Sequence, residues 1–243
     1  MKKILALLSF LAVLLQFNTV YAHAIWLETN PTGTKGKKQI IQVYFGEYSY
    51  SLKEKTEDKA FEKVKNFTLW LVDPKGVKTI LETAQTDTSF IAEFTPQSDG
   101  IYTVMLNNSN IEVIDYTQYN FGIFKTHYHA VAKIQVGKKT EAPTVAENAE
   151  GITLVDQTGK DGKTTLQVLY KGQPLSNADV EISLPEQWNK KIKTDEKGIV
   201  TFNMPWNARY LVEVTQKEEV PGVYNEKEYQ FIWHCVTYSI KSN

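Results

Sequence analysis

Over most of the chain, apolar residues recur at every second position. Ile41, Val43 and Phe45 fall on one face of a short run, with Gln42 and Tyr44 on the other; Phe67, Leu69 and Leu71 repeat the pattern. A period of two marks a strand with one buried face. It predicts strands at 25–28, 38–45, 66–72, 77–81, 89–95, 101–106, 116–124 and 127–136, then at 164–170, 178–184, 199–203, 210–215 and 228–240. Turn signals separate them, as at Asp73-Pro74-Lys75-Gly76 and at Thr194 to Gly198, where proline presets φ and glycine takes the positive-φ position. One stretch, 51–65, is charged, with Ala60, Phe61 and Val64 as its apolar residues; it reads as a surface loop with one helical turn. Short strands spaced by turns predict an all-β fold of two antiparallel β-sandwich domains in tandem. The segment 137–151 (GKKTEAPTVAENAEG) has no periodicity. The expected division is an N-terminal sandwich at 23–137, a linker at 138–150 and a second sandwich at 151–243.

Residues 1–22 follow a different pattern. Lys2 and Lys3 precede an apolar run from Ile4 to Leu15, and Val20-Tyr21-Ala22 offers a cleavage site. This is the form of a secretory signal peptide, and the run is short for a membrane span. Export to the periplasm is the expectation, and no later segment of the mature chain is long and apolar enough to cross a membrane. Cleavage after Ala22 removes two lysines and no acid, leaving 25 Lys and Arg against 28 Asp and Glu. That balance gives no electrostatic footprint for nucleic acid. The single cysteine, Cys235, excludes an intramolecular disulfide and sits in an apolar run that predicts a buried, inert thiol.

The chemistry worth weighing lies in four histidines, His23, His127, His129 and His234. Cleavage after Ala22 would place His23 first, so that its free amine and its imidazole could chelate one ion. The amine has an ordinary pKa of about 7.7–8.0, within reach of displacement by a metal near neutral pH. In the run His127-Tyr128-His129 the two imidazoles share a face, roughly 6–7 Å apart along a strand. Tyr128, Ala130, Ala132, Ile134 and Val136 share the other face, which reads as core. His127 and His129 are therefore expected to point outward and to meet His23 at a nitrogen-rich metal site. Glu47, after Phe45-Gly46, and His234, alternating with Ile232 and Val236, are further candidate ligands. Imidazole donors suit zinc, copper, iron and nickel. No nucleophile elbow, phosphate-binding glycine loop, His-Glu-x-x-His helix or catalytic cysteine pattern is present, which argues against an enzyme.

Several phrases also resemble known families. Ala178-x-Val180 and Thr194-Asp195 through Phe202 resemble small Ig-like or transthyretin-like domains of secreted bacterial proteins. The combination of His23-Ala24-Ile25-Trp26-Leu27-Glu28, Val43-Tyr44-Phe45-Gly46-Glu47, Val72-Asp73-Pro74-Lys75-Gly76 and His127 to Lys133 resembles exported bacterial proteins described as periplasmic components of nickel or cobalt uptake systems. The resemblance implies a mature N-terminal histidine, a β-sandwich followed by an Ig-like domain, and delivery of Ni2+ or Co2+ to membrane transporter components. Its pattern has histidine where this chain has Glu47. Two alternatives stand beside it. One is a Cu2+ protein or copper monooxygenase with an N-terminal histidine brace completed by His129. The other is a metal-free sandwich that binds a carbohydrate or a protein partner.

Overall fold

A computed structural model of the chain describes residues 23–138, 148–159 and 162–242. The expected signal peptide lies outside the described residues, as does most of the expected linker. The major strands, in chain order, are β1 (Ala24–Thr29), β2 (Gln39–Glu47), β3 (Thr68–Val72), β4 (Lys78–Ile80), β5 (Phe90–Phe94), β6 (Gly100–Asn108) and β7 (Gly122–Val136). They continue with β8 (Ile152–Asp156), β9 (Thr164–Tyr170), β10 (Asp179–Leu184), β11 (Trp188–Lys193), β12 (Ile199–Phe202), β13 (Arg209–Glu218) and β14 (Phe231–Lys241). The charged stretch forms a single helical turn, α1 (Lys59–Glu62), which buries Phe61. The fold is all-β, as the period-two pattern requires.

The strands form three main layers. A large central sheet runs in the order β11-β10-β13-β14-β7-β6-β3-β4. One outer sheet contains β1-β2-β5 and the other β8-β9, with β12 on β9. The N-terminal outer sheet packs on one face of the central sheet, where Ala130, Ala132, Ile134 and Val136 of β7 meet Ile25, Leu27, Val43 and Phe45. The C-terminal outer sheet packs on the opposite face, where Val131, Val236 and Tyr238 meet Leu166, Val168 and Val200. Each sheet thus buries an apolar face against another, the general solution for layered domains.

The junction between the halves is β14. It pairs antiparallel with β13 and parallel with β7, aligning His127 with His234 and His129 with Val236. This parallel pair departs from the purely antiparallel expectation. Because an outer sheet packs on each side of the central one, β7 is buried on both faces rather than on one. The separate runs expected at 116–124 and 127–136 correspond to one 15-residue strand preceded by a turn at Thr117–Tyr119, because the intervening Lys125 and Thr126 pair with Ile232 and Trp233 of β14 and continue the ladder. Side-chain hydroxyls bind the layers further: Thr237 Oγ1 donates to the Ile25 carbonyl at 2.7 Å, and Ser239 donates to the Leu27 carbonyl.

At the end of β2, Gly46 has φ +149°, and a Cβ there would fall 2.2 Å from the Leu52 carbonyl oxygen. Glycine is the residue that permits this close approach. The chain then turns through Tyr48–Tyr50 toward the second half, where Tyr48 donates to the Arg209 carbonyl at 2.9 Å.

Candidate metal centre

The parity of β7 and β14 decides where the histidines go. Odd-numbered residues of β7 share a face with Val131, so His127 and His129 point toward the C-terminal layer. Even-numbered residues of β14 share a face with Val236 and Tyr238, which brings His234 to the same place. His127 and His234 lie edge to face with ring centres 5.1 Å apart. His129 is 6 % exposed and His234 is 1 % exposed.

These imidazoles are held neutral. Burial, then His234 and Lys125, brings His127 down to about 4. Burial, then His127 and His234, brings His129 down to about 3. His234 is also lowered, chiefly by burial. A neutral imidazole has a nitrogen lone pair to offer, the form a metal binds.

His234 has a partner that sequence reasoning missed. Its Nε2 lies 2.9 Å from Glu218 Oε2, at the end of β13. Burial opposes ionisation of Glu218, yet hydrogen bonds from Lys171 and His234 hold its carboxyl down to about 2. An ionised carboxylate accepts only, so Nε2 carries the proton and Nδ1 keeps the lone pair. That Nδ1 is buried and has no hydrogen-bond partner among the described residues; the same is true of His129 Nε2. Buried polar nitrogens are ordinarily paired, and two unpaired ones in one cluster call for a ligand or water. No spacing signal links Glu218 to His234 in the sequence: the contact is diagonal across β13 and β14.

His23 stands elsewhere. Tyr128, the residue between the two β7 histidines, points through the opposite face and donates to the His23 carbonyl at 2.9 Å. The His23 ring packs against Phe45 at 5.3 Å, and its Nε2 lies 2.7 Å from Glu54 Oε1. The expected convergence of His23 with His127 and His129 is therefore not what the structure shows; the alternation that pairs His127 with His129 sends Tyr128, not a histidine, toward His23. Glu47 is placed in a third location. It accepts a 2.7 Å hydrogen bond from Ser49 Oγ and lines a cleft with Glu181 and Glu213. Burial, then the Glu181 and Glu47 carboxylates, pushes Glu213 up to about 8. Of the five candidate ligands, three are brought together. Among the described residues no three of His, Cys, Asp and Glu already stand at metal-ligating spacing.

The family model for a domain of unknown function, DUF4198, matches residues 20–218. The chain belongs to this family. No curated protein matches it by sequence. Among solved structures, a mutant alpha-2-macroglobulin of Salmonella aligns with 92 % of this chain at 12 % identity and a TM-score of 0.26. The chain spans 15 % of the length of that macroglobulin. A cytokine receptor complex aligns with 89 % of this chain and 96 % of its own at 10 % identity and a TM-score of 0.23.

Proposed function

We propose that this DUF4198 protein is an exported, non-enzymatic transition-metal carrier. It holds Ni2+ or Co2+ as cargo at His127, His129 and His234 and passes it to a membrane uptake system. The observation that carries the reading is His234: one ring nitrogen bound to an ionised carboxylate, the other buried with a free lone pair. Ligating histidines almost always donate their second N–H to a carboxylate or carbonyl in this way, which sets tautomer and ring orientation. The neighbouring unpaired nitrogen of His129 adds a second donor, and half-buried His127 a third. Capture involves rotation of these rings toward a common centre. Nitrogen-only donors suit nickel and cobalt better than magnesium or calcium.

A copper brace at His23 has less support. It needs a second histidine beside the first, and the remaining three lie across the central sheet. Glu54 is the neighbour that His23 does have.

Calorimetric titration of the mature chain with Ni2+, Co2+ and Cu2+ tests the proposal. The expected result is one equivalent of Ni2+ or Co2+ bound with a Kd of about 1 μM or below. His234→Ala and His129→Ala should each weaken it at least tenfold, whereas His23→Ala should not. Undiminished affinity in both cluster variants, or no binding by the folded protein, defeats the reading.

A further inference from the structure

The histidine cluster adjoins a cleft of about 250 Å³, into which His127 and His129 both face together with Asn107, Lys125, Asn148 and the exposed Glu150. Two features of its wall point to an occupant other than a bare metal ion. Lys125, only 5 % exposed, donates to the Ser109 carbonyl and lies 3.8 Å from the centre of the Tyr224 ring. Among the described residues it has no carboxylate at ion-pair distance. Asn107 Oδ1 is buried with no hydrogen-bond partner among the described residues, as is His129 Nε2.

Glu112 acts on the Lys125 ammonium through space from beyond ion-pair distance, so an anion in direct contact would compensate the buried charge more fully. An unpaired amide oxygen calls for a hydrogen-bond donor. Imidazoles bring no negative charge whether neutral or protonated, and the Glu218 carboxylate is already ion-paired with Lys171. A dication entering alone would therefore meet the positive charge of Lys125, with the carboxylate of the cleft lining, Glu150, exposed to solvent and screened by it. An anion arriving with the metal removes that mismatch. A small carboxylate with a hydroxyl or amine beside it supplies all three requirements: charge for Lys125, a donor for Asn107, and atoms that chelate the metal. The volume admits such a molecule, being roughly eight times the share of one liquid water.

We propose that the cleft binds a small carboxylate bearing a hydroxyl or amine, and that the protein takes up its metal as the chelate of that molecule. This rests on the metal-binding reading above. The test is calorimetric titration of the mature chain with Ni2+ alone, with nickel citrate and with the nickel complex of L-histidine. At least one complex should bind tenfold or more tightly than the free ion, and the better one identifies the hydroxyl or the amine form. Lys125→Met should abolish that gain, and affinity for free Ni2+ should hold or rise, because a positive charge leaves the cleft. Asn107→Asp, nearly isosteric, should also abolish the gain, by repelling the carboxylate while attracting the free ion, and it keeps the test sound should the lysine variant misfold. Free Ni2+ binding with no gain for either chelate, or a gain that survives both substitutions, overturns this inference and leaves the carrier reading standing. Absence of binding in any form overturns both.

Discussion

At the scale of single residues, Glu218 is the side chain on which the candidate centre turns. Replacing it with glutamine removes the ionised acceptor that holds the His234 tautomer. Metal affinity should fall 10–100-fold, the usual cost of losing an outer-shell carboxylate, and a competition titration against a chromogenic chelator would read it. The buried histidines also make metal-free stability depend on pH. An unfolded imidazole titrates near 6.5, while folded His127 and His129 titrate near 4 and 3. Between those values the unfolded chain binds more protons, so stability rises with pH. Their contribution is full above about pH 6.5 and is lost as pH falls through 4 and then 3. Urea unfolding from pH 7 to 4 should show the decline, and His129→Gln should make it shallower. Glu213 has the opposite sign. Its folded value near 8 lies above its ordinary 4.5, so its contribution is full below 4.5 and lost as pH rises through 8. Glu213→Gln should raise the melting temperature at pH 8.5 by ~2 °C or more, and little at pH 4.5.

At the scale of elements, alternation along β7 was readable and its surroundings were not. The pattern correctly separates Tyr128, Ala130, Ala132 and Ile134 from His127, His129 and Val131. It assigns the second set to an outer face because one apolar face suffices for a sandwich strand. The structure places β14 alongside and a second apolar core below, so that face is interior too. The strands β8 and β11 had no clear signal. Trp188–Lys193 reads WNKKIK, an edge strand whose lysines face solvent and whose pairing is supplied by β10. The bond from Thr237 to the Ile25 carbonyl ties β14 to β1. Thr237→Val preserves shape and removes that bond; it should cost about 1–3 kcal/mol in urea unfolding, the range for leaving a buried acceptor unpaired.

At the scale of the whole molecule, one sheet serves two cores. Apolar residues of β14 join the C-terminal core, and its odd-numbered hydroxyl residues grip the N-terminal sheet. Melting of one half should therefore carry the other with it. Calorimetry is expected to show a single transition, with the van't Hoff and calorimetric enthalpies equal, although a chain of this length often unfolds in steps. Two resolved transitions would show that β14 does not couple the halves. The same strand assembles the candidate centre, since His234 comes from a segment more than a hundred residues after His127.

By itself the sequence determined what is local. Side-chain alternation specified strands and their faces, turn residues specified where they end, and the count of histidines specified which chemistry was available. It also paired His127 with His129, because two residues apart on a strand is a local relation. The tertiary structure alone decided which elements became neighbours: the parallel docking of β14 on β7, the separation of His23 and Glu47 from the cluster, and the contact of His234 with Glu218. Those relations depend on how sheets stack and which strand fills the seam between two cores. Such long-range packing is set by the whole chain at once and leaves no periodic mark at any one position.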